Sequence, residues 1–129
     1  MRGNFILCLL LILFSESFGQ APKTLSYLAL GDSYTIGESV KEAESWPNIL
    51  VDSLVAKGIK IKKPLIIAKT GWRTDELINA IKSDSSLGQF DLVSLLIGVN
   101  NQYQGKDLEV FKEEFKTLLK LTISHSKKG

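Results

Sequence analysis

Leu28-Ala29-Leu30-Gly31-Asp32-Ser33-Tyr34-Thr35-Ile36-Gly37-Glu38 is the stretch where an apolar run ends in Gly-Asp-Ser and the polarity of the chain changes. Leu25 to Leu30 reads as a short buried strand, and Gly31, lacking a Cβ, supplies a sharp turn after it. Ser33 then stands at a strand's carboxyl end, where open α/β sheets place their ligands. A serine in that position is a candidate nucleophile.

Outward from this stretch the same pattern recurs twice. Ser45-Trp46-Pro47 opens a helix, with serine as the cap and proline in the first turn. Trp46, Ile49, Leu50 and Leu54 follow at helical spacing as its core face, and Gly58 ends it. After a mixed segment, Pro64-Leu65-Ile66-Ile67-Ala68 reads as a second buried strand that runs into Lys69-Thr70-Gly71-Trp72. Thr74 is expected to cap the next helix, with Asp75 and Glu76 in its first turn and Leu77, Ile78 and Ile81 on its apolar side. Phe90 to Ile97 is the third and strongest strand, ending at Gly98-Val99-Asn100-Asn101. Asp107 then caps a long helix whose inner face is Phe111, Phe115, Leu118 and Leu119.

Strand and helix thus alternate three times, with crossovers long enough for parallel pairing, so the class is α/β with a parallel sheet. Parallel strands share their carboxyl ends. Ser33, Gly71 and Asn100 therefore converge at one rim although 38 and 29 residues separate them in sequence.

The remaining features narrow the function. A chain that is 44% hydrophobic and 23% charged suits one globular domain and argues against disorder. Arg2 followed by the apolar run Phe5 to Phe14 and by Ser17-Phe18-Gly19 reads as a secretory signal over residues 1–19, too short to span a bilayer. Cleavage is expected after Gly19, giving a domain over 20–129 in a secreted or periplasmic protein. Removing the signal takes away Arg2 and Glu16, one charge of each sign, so the net stays at +2. Lys57, Lys60, Lys62 and Lys63 form a solvated turn without interleaved aromatics, which speaks against nucleic-acid binding. Cys8 lies in the signal, so the mature domain has no thiol and a single histidine, and no metal site is expected. Gly31 and Gly37 fit neither the phosphate loop nor the dinucleotide fingerprint, and Thr35 stands where a Gly-x-Ser-x-Gly elbow has its last glycine. No cofactor is expected.

Acyl transfer needs a nucleophile, a base and donors aimed at the developing oxyanion. Ser33 supplies the first. The backbone N–H groups of Ser33 and Gly71 and the side-chain amide of Asn100 are candidate donors. Trp72, beside Gly71, is a candidate for lining a substrate pocket, Trp46 is expected to pack on the sheet, and Asp32 is expected to brace its turn by local hydrogen bonds.

Gly31-Asp32-Ser33, the glycine of Lys69-Thr70-Gly71-Trp72, and Gly98-Val99-Asn100-Asn101 together resemble blocks I, II and III of the SGNH (GDSL) hydrolases. The resemblance implies a flavodoxin-like three-layer fold, Ser33 as nucleophile and Gly71 and Asn100 completing the oxyanion hole, with a small ester or acylated molecule as substrate. Asn101 stands where the family often has aspartate. Block V, the Asp-x-x-His pair that supplies the base, has no counterpart in these residues, and His125 is expected at the end of the last helix, away from the site. The expectation is therefore a serine esterase or lipase-like hydrolase truncated after its third β/α unit and nearly inactive as it stands, with the outer edge of the third strand open. The alternative is a non-catalytic ester- or glycan-binding protein of the same fold.

Overall fold

The computed structural model describes residues 23–127. The expected signal segment and its cleavage point lie outside them. Three parallel strands, β1 (Tyr27–Asp32), β2 (Leu65–Lys69) and β3 (Leu92–Leu96), form one sheet in the order β2-β1-β3. This is the flavodoxin-like order for the first three strands. Between and after them come α1 (Ser33–Ile36), a short 3₁₀ turn (Glu42–Glu44), α2 (Trp46–Ala56), α3 (Thr74–Ser83), α4 (Val99–Tyr103) and α5 (Leu108–Ser124).

Alternation along β1 builds the three layers. Leu28 and Leu30 point to one face, where they pack with Leu77, Ile78 and Ile81 of α3 and Leu118 of α5. Tyr27 and Ala29 point to the other, against Val51 of α2 with Trp46 and Leu50 beside it. All six residues of β1 are buried, so truncating Leu28 or Leu30 to alanine should cost about 2–5 kcal/mol. Tyr27 keeps its hydroxyl satisfied by Ser94 Oγ of β3 at 2.8 Å, and burial pushes its pKa up.

Several local expectations need correction. The first strand begins at Tyr27, Leu25 making only an isolated bridge to Ile61, and it continues through Gly31 and Asp32. Gly31 is therefore not a turn residue. A Cβ there would lie 2.1 Å from Thr35 Oγ1 and 2.5 Å from the Leu96 carbonyl oxygen, so the glycine is needed for close approach of α1 and β3 to β1. In α2 the buried residues are Pro47 and Val51, while Ile49 is exposed. Trp46, Leu50 and Leu54 face inward as expected, and Pro47 and Val51 rather than Ile49 complete the stripe. Ser45 sits at the cap position of α2, but its hydroxyl donates to the Glu42 carbonyl (2.9 Å) and caps nothing. Thr74 is the first residue of α3, whose cap position is Arg73. Leu119 of α5 is exposed, and α4 was not expected. Asp107 does cap α5, its Oδ1 accepting from the amides of Glu109 and Val110. Among the described residues, no helix is long and apolar enough to cross a membrane.

Candidate active site

Pairing of Asp32 with Lys69 and of Gly31 with Leu96 fixes where the three strands stop. Ser33, Gly71 and Asn100 each follow within four residues of those stops, in the segments that leave the same end of the sheet, Ser33 opening α1 and Asn100 in α4. Side-chain hydrogen bonds join these segments to one another. The Thr70 hydroxyl donates to Glu38, tying the loop after β2 to the segment after α1. Asn100 Nδ2 donates to the Trp72 carbonyl (2.9 Å), and Gln104 Nε2 reaches the Gly71 carbonyl at 3.5 Å. Arg73 Nη1 in turn donates to Gln104 Oε1 at 2.9 Å.

Ser33 opens α1 and is half-buried. Its carbonyl accepts from the amides of Gly37 and Glu38, which closes a tight single turn. The preceding Asp32 is 1% exposed, and its Oδ1 accepts from the Tyr34 amide at 3.0 Å. Asp32 therefore braces the turn, as expected. Burial raises its carboxyl pKa, and the Tyr34 hydrogen bond opposes the shift only in part.

Gly71 has φ +79°, a conformation that only glycine adopts without strain, and open space lies where its Cβ would be. Asn100 spends one amide hydrogen on Trp72, which leaves a second N–H on the same nitrogen. A hollow of about 280 Å³ beside Ser33 is lined by Tyr34, Gly37, Glu38, Val40, Glu44, Ser45 and Trp46. Trp72 is absent from that wall and packs against the core cluster of Leu28 and Leu77. The tryptophan at the hollow is thus Trp46.

Asn101 and Thr74 form the best-buried polar pair at this rim, 4% and 0% exposed. Asn101 Oδ1 accepts from the Thr74 amide (3.1 Å), its Nδ2 donates to Thr74 Oγ1 (2.7 Å), and the Thr74 hydroxyl donates to Glu114 of α5. His125 lies elsewhere. Its Nδ1 pairs with the Gly88 carbonyl (2.9 Å) and its own carbonyl accepts from Phe90, at the amino end of β3. Sequence reasoning did not single out Gln104, Thr70 or Glu114, whose partners are 33, 32 and 40 residues away and leave no local signal.

The model of the GDSL-like Lipase/Acylhydrolase family matches residues 29–128. The chain belongs to that family. Its structural neighbours agree with the GDSL assignment. The SGNH-hydrolase family esterase AlinE4 superposes with a TM-score of 0.66 and 25% identity, over 76% of this chain and 52% of that one. A psychrotrophic esterase, EstA from Pseudoalteromonas sp., in a structure inhibited by monoethylphosphonate, gives 0.69 and 16% over 81% and 57%. A putative GDSL-like lipase from Parabacteroides merdae gives 0.61 and 20% over 82% and 58%. The last two bear on the fold alone. This GDSL chain thus spans little more than half the length of the structures it matches. No curated protein matches it.

Proposed function

We propose that the domain over residues 20–129 carries the nucleophile and the oxyanion hole of a secreted ester hydrolase, exported by the signal segment over residues 1–19. The observation that supports this most is the hydrogen bond from Asn100 to the Trp72 carbonyl, because it holds a donor-bearing amide next to the left-handed Gly71 at the rim where Ser33 stands. In this reading Ser33 Oγ attacks an ester carbonyl while a base accepts its proton. The amides of Ser33 and Gly71 and the second N–H of Asn100 receive the developing oxyanion, the alcohol leaves, and water releases the acyl group. Loss of one such donor costs about 10²–10³ in rate.

The only histidine of these residues is His125, held at the opposite end of the sheet. Without a base at Ser33, triad-type chemistry falls to what binding and the oxyanion hole supply. The 129-residue chain alone is therefore nearly inactive on a small chromogenic ester. Added imidazole can stand in for the base, so turnover should appear with imidazole as an increment that Ser33→Ala removes. Fast Ser33-dependent turnover without imidazole contradicts the inactivity. No Ser33-dependent increment at any imidazole concentration contradicts the hydrolase reading.

A further inference from the structure

Two acceptors and one hydroxyl proton decide which residue can stand at position 101. Glu114, as a carboxylate, only accepts, so the Thr74 hydroxyl proton points to it. The remaining lone pairs of Thr74 Oγ1 then need a donor, which Asn101 Nδ2 provides, while Asn101 Oδ1 takes the Thr74 amide at the start of α3. The resulting wire has a direction, from Asn101 through Thr74 to Glu114. An aspartate at that position would set a second acceptor against a hydroxyl that has one proton, in a site where Thr74 is fully buried.

The wire matters for the rim because of what α4 is. A five-residue helix has almost no stability of its own. Asn101 is its one buried residue, and its neighbours Asn100 and Gln104 are the side chains that grip the carbonyls of Trp72 and Gly71. We propose that Asn101 is a positioning residue. Its carboxamide, locked in one orientation by Thr74 and Glu114, holds α4 so that Asn100 and the Gly71 turn keep their donors on a common point. This assignment rests on the reading of Gly71 and Asn100 as oxyanion donors, and it explains why asparagine rather than aspartate suits this chain.

Reversing the wire tests it. The whole ¹⁵N-labelled chain is compared as wild type, Asn101→Asp, Glu114→Gln and the double variant, by urea midpoint and by the signals of the Gly71 amide and the Asn100 side chain. In the double variant the carboxamide introduced on α5 can donate to Thr74 Oγ1, and the Thr74 proton turns to the carboxylate introduced on α4. Asn101→Asp should lower the midpoint and displace both signals, and the double variant should return both signals and most of the midpoint. If Asn101→Asp does not fold, recovery of a folded spectrum in the double variant carries the same meaning. Unmoved signals in Asn101→Asp, or a double variant whose losses equal the sum of the single ones or that stays unfolded, overturn the assignment. Signals that follow the wire while the imidazole-supported, Ser33-dependent turnover is absent uphold the positioning and reject only the hydrolase reading.

Discussion

At the amino end of the sheet Asp91 receives Lys127, Lys23 and both the amide and hydroxyl of Ser26. At the carboxyl end Asp32, more deeply buried, receives the Tyr34 amide. Lys127, followed by Lys23 and Ser26, holds the Asp91 carboxyl far below the usual range, whereas desolvation lifts that of Asp32. The Asp91 cluster joins residues 23–26, the start of β3 and the segment after α5, where Phe90 and Ser126 make a parallel bridge. One end of the sheet therefore uses charge to hold the chain together. The other carries a charge that costs stability, which is the usual condition of a functional rim.

The contrast is broken most severely at Gly31. Gly31→Ala forces a methyl into Thr35 and the backbone of Leu96, and urea unfolding should show a loss of about 3 kcal/mol. An unchanged midpoint would mean that α1 and β3 do not approach β1 as closely as described. Asp91→Asn is expected next in effect, and its signature is pH dependence. A carboxyl whose folded pKa is depressed stabilises above its unfolded value, about 4, and that contribution disappears as pH falls through the folded value. The wild type should lose stability on acidification over that range, and Asp91→Asn should flatten the acid limb of a melting-temperature profile.

Gly71→Ala meets no neighbour, so its cost is the left-handed backbone alone, about 1 kcal/mol by the same unfolding measurement. A cost comparable to that of Gly31→Ala would show that Gly71 is packed rather than open. The smallest effect has the opposite sign. Asp32→Asn keeps an acceptor for the Tyr34 amide and removes a desolvated charge. Because the folded pKa is raised, the aspartate favours the folded state only while protonated. The variant should therefore melt above wild type at neutral pH and lose that advantage as pH falls through the raised folded value, with none left below the unfolded value of about 4. A lower melting temperature at neutral pH would mean that the ionised Asp32 is better compensated than its surroundings indicate.

What could be read in the sequence was local. Three apolar runs that each end near a glycine, the Asp107 cap and the Leu77, Ile78 and Ile81 stripe all follow from spacing within one element, and together they set the class and the rim. Errors arose where a neighbour decides the outcome. Ile49 and Leu119 share helical periodicity with buried residues, but the sheet meets α2 through 47 and 51 and α5 through 118. Gly31 looked like a turn because nothing in the sequence announces that Thr35 and Leu96 press on it. Thr74 looked like a cap, and its hydroxyl is instead claimed by Asn101 and Glu114, 27 and 40 residues away. Trp46 packs on the sheet as its spacing in α2 implies, and it also borders the hollow beside Ser33, while Trp72 packs against the core of the other face.

The proposed convergence of three strand ends on one oxygen can be tested with an alkyl boronic acid. Its boron takes the Ser33 oxygen as a fourth ligand, and the hydroxyl proton passes to solvent, leaving an anionic tetrahedral adduct. The account predicts that the amide signals of Ser33 and Gly71 and the side-chain NH₂ of Asn100 shift together along one saturation curve, and that Ser33→Ala abolishes all three. Signals of Gly71 and Asn100 that stay in place while Ser33 responds would contradict it.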